Sequence, residues 1–369
     1  MEKATLKFEL VLSDLENRLR RGEFSEIGKI PTETNLALHY NCSRPTIRKA
    51  LKGLKEKGLI HTTQGSGTTI SNLTKDAEPN NPGNLLFGLI FQDLGPQYVF
   101  DTICNNLATI VSDFGYSLVY GGYFRTDSRH LDEHVEIICK RYIELGVNGV
   151  FFAPFEYSPI KDRVNHYIIS TLSSAGIAVV LIDGDVDEFP NSSKYDLVSL
   201  DHIHAGYLLC LHLLEQKAKR IIFFAPPNSA HTIKLRKIGY QAALFDHEIF
   251  PCPSWFVECN PSDTQRVREI IDEIKPEAFL CSNDGCAINL IETLFSLSLE
   301  VPKDVLVAGF DNLSYVSKIK VPLTSLSQPT RLISEEATRL MFQRIKEPNS
   351  QKKTICFQGD LVIRKSSKK

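Results

Sequence analysis

No apolar run in this 369-residue chain approaches the roughly 18 residues that a membrane-spanning helix needs, which argues against a membrane protein. The opening MEKATLKFEL lacks the apolar core of a secretory signal, so a cytoplasmic protein is expected. No CxxC pair occurs among the nine cysteines. The nearest two, Cys281 and Cys286, have no His or Cys neighbours at zinc spacing, so reduced thiols and no metal site are expected. Catalytic signatures are also missing: there is no GxSxG elbow, no Walker lysine loop and no HExxH helix. The only GxG, Gly65 to Gly67, does not follow a buried strand. His202 and His204 stand two apart on a helix and point away from each other, so both are expected as partly exposed structural histidines. These absences leave an enzyme, or an exported solute-binding protein for transport, as the minor readings. No cofactor is expected.

What is present is an ordinary soluble composition, 43% apolar and 23% charged, on a chain long enough for two or three domains. The net charge of −2 hides an asymmetry: residues 1–71 carry 12 Lys and Arg against 8 Asp and Glu, while the remainder carries 30 against 36. A small basic part on a mildly acidic body points to a polyanion partner for the first part only.

The basic excess sits in one pattern. Phe8, Val11, Leu12, Leu15 and Leu19 recur at helical spacing, and Gly22 ends that helix. A second helix is predicted from about Thr32, burying Leu36, Ala37 and Tyr40. Ser43 suits the N-cap of a third, in which Ile47, Ala50, Leu51 and Leu54 form the buried stripe. Arg44, Arg48, Lys52 and Lys55 share one flank, with Lys49 at its edge. LIHTT, the turn Gln64-Gly65-Ser66-Gly67 and TTIS then read as a hairpin. Helix, turn, basic helix and glycine-tipped hairpin make a winged helix-turn-helix, whose third helix enters a DNA major groove. Residues 72–84, polar with two prolines and a glycine, read as a linker.

The stretch IPTETNLALHYNCSRPTIRKALKGLKEKGLIHTTQGSGTTI resembles the DNA-binding module of GntR-type transcription factors. The resemblance implies DNA contacts from Arg44, Thr46 and Arg48 on the recognition helix and from Gln64 and Gly65 on the wing. Pro45, where a polar residue is usual, and Lys52 on the basic flank complete the expected interface. Thr34 replaces a phosphate-contacting Arg common in that family.

From Leu85 onward, apolar strand-like runs alternate with amphipathic helices, the pattern of parallel sheets covered on both faces. Four runs end in an acid: LLFGLIFQD at Asp93, AVVLID at Asp183, AFLCSND at Asp284 and VLVAGFD at Asp311. Ligand crevices in such folds lie beyond the carboxyl ends of the strands. Converging carboxylates accept hydrogen bonds from vicinal hydroxyls. Asn283 and Gln328 donate and accept, and Arg236 supplies a planar donor fork. Each Asp read alone is more simply a helix N-cap, and Asp284 is read as serving both roles. Together the set suits a small polyol.

The segments GIAVVLIDGD, SLDHIHAG, HTIKLRKIGYQAAL, AFLCSNDGCAINLIETL, VPKDVLVAGFDN and PLTSLSQP resemble the effector domain of LacI-type regulators. That implies an α/β fold: a two-lobed, periplasmic-binding-protein-like domain over residues 85–369, crossing over near 199 and 328, behind the winged helix of 1–71. It implies ligand contacts from Asp183, Arg236, Asn283, Asp311 and Gln328, with Thr232, Asp93 and Tyr98 as weaker matches. Tyr98 or Trp255 is placed to stack on a sugar face, although packing is the simpler fate of Trp255. A GntR-type head on a LacI-type body resembles the arabinose-repressor arrangement. The expected partners are double-stranded operator DNA, a small sugar-derived effector and a second copy of the chain. Residues 72–84 show no helical pattern, so the minor-groove hinge helix of LacI-type proteins is not expected.

Overall fold

The computed structural model describes residues 11–12, 14–15, 30–40, 42–56, 60–63, 67–70, 85–92, 99–122 and 130–368. Contacts divide the chain into two units, Met1–Pro82 and Gly83–Lys369. Gln64, Gly65, Asp93 and Tyr98, and the linker 72–84, lie outside the described residues.

In the first unit, Val11 and Leu15 are buried on a helical stretch. Helix α1 (Glu33–His39) starts after Thr32, whose hydroxyl accepts the Asn35 N–H at 3.4 Å. Helix α2 (Arg44–Glu56) starts after Ser43, which accepts the Thr46 N–H at 3.4 Å and pairs with Thr46 Oγ1 at 2.8 Å. Those bonds satisfy a donor that the first helical turn leaves unpaired. Pro45 falls in that same turn, where its missing N–H costs nothing. Ile47, Ala50 and Leu54 are fully buried against Leu36, with Leu51 and Tyr40 packed at the margin. Strands β1 (Ile60–Thr63) and β2 (Gly67–Ile70) pair antiparallel, with Ile60 opposite Ile70, as the wing.

The second unit has two lobes, each on a six-stranded sheet. The first lobe holds β3 (Leu86–Ile90), β4 (Ser117–Tyr120), β5 (Gly149–Phe152), β6 (Ala178–Ile182), β7 (Asp196–Leu200) and β13 (Thr354–Phe357). Their order is β13-β7-β6-β5-β3-β4, all parallel. The second lobe holds β8 (Ile221–Ala225), β9 (Phe256–Glu258), β10 (Ala278–Cys281), β11 (Leu306–Asp311), β12 (Thr324–Ser327) and β14 (Asp360–Val362). Their order is β14-β12-β11-β10-β8-β9, parallel except where β14 meets β12. Runs such as GVFF, IIFFA and AFLC are buried at every residue, because helices cover both faces of a parallel sheet.

The chain passes between the lobes after β7, after β12 and between Phe357 and Asp360. The third passage has no counterpart in the sequence expectation. The first leads into helix α6 (His202–Glu215), which packs closely on α7 (Thr232–Asp246). Glycines permit that closeness: a Cβ on Gly206 would lie 2.0 Å from the Arg236 carbonyl oxygen, and one on Gly239 would lie 1.8 Å from that of Ile203.

Candidate effector cleft and DNA-reading face

The carboxyl ends of the strands from both lobes meet at one cleft. Its lining includes Asp183 and Asp185 beyond β6, Glu156 beyond β5, Thr232 and Arg236 on α7, Asn283 beyond β10, Asp311 at the end of β11, and Gln328. Phe100 and Phe155 supply apolar wall. Several residues at these strand ends take unusual backbone. Tyr157, Asp183, Asn228, Asp311 and Asn312 all have positive φ, at 59°, 69°, 55°, 107° and 51°. Asp and Asn tolerate that region better than other residues.

Arg236 is held on every side. Its Nε donates to His202 Nδ1 at 3.2 Å, Nη1 donates to the Ser282 carbonyl, and Cζ lies 3.5 Å above the Phe310 ring. Guanidinium only donates, so His202 Nδ1 must accept and Nε2 carries the hydrogen. That Nε2 lies 3.1 Å from the Asp183 carbonyl and 3.4 Å from Asp183 Oδ1. Gln328 Nε2 donates to Asp311 Oδ1 at 2.7 Å. Asn283 Oδ1 caps helix α9 (Asp284–Ser296) by accepting the Cys286 N–H at 2.8 Å.

Several polar atoms are left over. Asp183 Oδ1, Thr232 Oγ1 and Gln328 Oε1 are buried without a hydrogen-bond partner, and all three residues line the cleft. Such an atom costs about 1–3 kcal/mol unless something satisfies it. All three accept hydrogen bonds, so a ligand rich in hydroxyl donors matches them.

The carboxyls do not titrate alike. Burial lifts Glu156 to about 7, opposed by the Ala230 N–H and reinforced by Asp183. Burial likewise lifts Asp311 to about 7 against the Arg236 charge and the Gln328 bond. Asp183 is buried too, yet His202 and Arg236 outweigh the burial and hold its carboxyl below the ordinary value. Near neutral pH, Asp183 is thus ionised beside Glu156 and Asp311, which are part-protonated.

Two expectations need correction. Asp284 is neither cap nor cleft residue. Asn283 takes the cap, and the Asp284 carboxyl turns into the second lobe, accepting Leu313 N–H at 2.9 Å and Ser325 Oγ–H at 2.6 Å. Burial raises it to about 8. His202 is not partly exposed but 2% exposed, sandwiched between Asp183, Arg236 and Phe310; its place at a lobe crossing put it there, and helical spacing carries no sign of that. Trp255 takes the simpler of its two expected fates, packing among the apolar residues of the second lobe. The sequence reading also missed Glu156, which has no strand-end signal because it follows APF beyond β5.

On the head, Arg44, Pro45, Arg48 and Lys52 are exposed along α2, and Thr46 is half-buried at its start. Arg48 is engaged: Nε and Nη2 reach Glu33 Oε1 and Oε2 at 3.1 and 2.9 Å. That fork holds Glu33 below its ordinary carboxylate value. It also presets the arginine on the outer face, 70% exposed.

Residues 9–70 match the family described as bacterial regulatory proteins, gntR family, and residues 210–367 match the periplasmic binding protein-like domain. With the winged helix and the two-lobed cleft, they define a DNA-binding transcriptional regulator with an effector domain, not an enzyme. More particularly, the whole chain is homologous to arabinose metabolism transcriptional repressors. It is 25% identical over 377 residues to that of Geobacillus stearothermophilus, covering 100% of this chain and 99% of the relative. It is 24% identical over 375 residues to that of Halalkalibacterium halodurans, covering 98% and 96%. Among solved structures, CcpA of Lactococcus lactis gives a TM-score of 0.66 at 19% identity, covering 78% of this chain and 100% of that one. The transcriptional regulator CelR–cellobiose complex gives 0.66 at 19% identity, covering 91% and 100%. Those two likenesses concern the fold.

Proposed function

We propose that this protein is a cytoplasmic repressor of sugar-utilisation genes, released from its operator by an uncharged sugar of the arabinose kind. The carrying observation is the set of unpartnered acceptors on Asp183, Thr232 and Gln328 in one cleft. Asp183, Arg236, Asn283, Asp311, Gln328 and Thr232 hold the sugar, Asp183 and Asp311 accepting from its hydroxyls. Two chains associate through their second units and present two heads to a roughly palindromic operator. Arg44, Thr46, Arg48 and Lys52, with Pro45 beside them and Gln64 and Gly65 on the wing, meet the duplex. Half-site spacing is set by the helical repeat, so a shift of a few ångströms between heads weakens grip. The sugar's leverage equals its differential affinity for the two states, about 1–3 kcal/mol.

The test is fluorescence anisotropy of labelled promoter duplexes from the source genome, with NaCl and arabinose titrated separately. A steep salt dependence and release by sugar are expected. If no duplex is bound in a salt-sensitive way, the reading is wrong. If DNA binds but neither arabinose nor any other monosaccharide releases it, the effector assignment is wrong.

A further inference from the structure

Tyr157 belongs to the first lobe, just beyond β5, yet its hydrogen bonds reach the second. Its N–H donates to the Asn228 carbonyl at 2.6 Å, and its hydroxyl accepts Asn283 Nδ2 at 2.7 Å. The preceding Glu156 does the same, with Oε2 accepting the Ala230 N–H at 3.0 Å. Tyr157 pays for this with a φ of 59°. A bulky aromatic rarely adopts that conformation, and strain of this sort concentrates at functional positions.

The Asn283 amide has one permissible orientation. The Cys286 N–H can only donate, so Oδ1 must face helix α9 and Nδ2 must face the phenol. One Nδ2 hydrogen is then committed to Tyr157, and the other remains for the cleft that Asn283 lines. Tyr157 itself is absent from that lining. Burial keeps its hydroxyl well above its ordinary titration range, so it stays an uncharged acceptor.

We propose that Tyr157 is a positioning residue: it pegs the first lobe to the second and aims the Asn283 amide into the cleft. Its consequence for sugar binding rests on the reading of the cleft given above; the peg does not. Removing the hydroxyl while keeping the ring therefore loosens one specific place in the second lobe, the start of α9, and leaves the backbone bond to Asn228 intact.

The test is hydrogen–deuterium exchange of the full chain without sugar, comparing wild type with Tyr157→Phe. The peptide covering 282–287 should exchange about two- to tenfold faster, the range of one lost neutral hydrogen bond, while peptides from 226–232, β5 and β10 stay unchanged. Asn283→Ala removes that bond together with the cap on the Cys286 N–H, so exchange at 282–287 should rise further than in Tyr157→Phe. Unchanged exchange at 282–287 in Tyr157→Phe, or a uniform rise across the second unit, overturns the proposal. In a second arm, calorimetric titration with arabinose should show Tyr157→Phe binding more weakly by about threefold or more, with operator affinity in the absence of sugar unaltered. Equal arabinose affinity in both chains overturns the aiming of Asn283. A wild-type chain that ignores arabinose refutes the effector of the previous section, and the exchange result still decides the peg.

Discussion

Gly206→Ala sets two effects of opposite sign against each other. On a solvent-facing helix the change would stabilise by about 0.8–1 kcal/mol, because alanine is the better helix former. Here the added Cβ would lie 2.0 Å from the Arg236 carbonyl oxygen, 2.8 Å from its carbon and 2.9 Å from its Cα. Ordinary contact needs roughly 3.4 Å, so α6 and α7 must part by about 1.4 Å. The obstacle is backbone, and no side chain can rotate out of the way. Overpacking of this kind costs about 1–3 kcal/mol, occasionally more. The net expectation is destabilisation of up to about 2 kcal/mol, or a Tm lowered by up to roughly 8 °C. Because α7 carries Thr232 and Arg236, sugar affinity should fall as well. Gly285→Ala is the control: its Cβ would meet nothing nearer than 3.6 Å, so its Tm should hold or rise. Differential scanning calorimetry of both variants decides. A Gly206→Ala chain as stable as the parent would refute the close helix approach and everything drawn from it.

Arg48→Ala should leave the head's melting temperature unchanged, since its pair with Glu33 is exposed, while lowering operator affinity several-fold in anisotropy titrations and reducing the salt slope by about one. Arg236→Ala should keep operator binding and abolish release by sugar in a gel shift; release by sugar from that variant would show that the cleft is misassigned. Without sugar, the second unit should lose stability as pH rises from about 4 to 8. Folded Glu156 and Asp311 hold protons up to about 7 and Asp284 up to about 8, whereas the unfolded chain releases them near 4, so unfolding becomes easier across that window. Thermal melts at pH 5.5 and 8 check the direction. Asp284→Asn, a permanently uncharged mimic, should flatten part of that slope at a cost below about 1 kcal/mol at pH 7.

The sequence disclosed the parts of this fold whose chemistry is repetitive. Runs such as AVVLI and IIFFA can only be buried strands, and the stripe Ile47, Ala50 and Leu54 can only face a core. It was silent on β9, β13 and β14, which are short and half exposed, and on β12, whose TSLS reads as polar although it is nearly all buried. Strand-end carboxylates marked the cleft but not their own directions. Asp183 and Asp284 both close a strand run, yet one faces the cleft and the other its own lobe. That difference depends on what lies across the gap: Arg236 and His202 for the first, Leu313 and Ser325 for the second. Tyr157 and Glu156 gave no signal, since their partners lie about 70–125 residues away.

The last passage of the chain bears on biosynthesis. Strand β13 closes one edge of the first sheet and β14 one edge of the second, so neither lobe is finished until residues 354–362 have been made. A message truncated before Thr354 would yield a head joined to two unfinished sheets, a polypeptide that keeps its basic helix and is deaf to the nutrient.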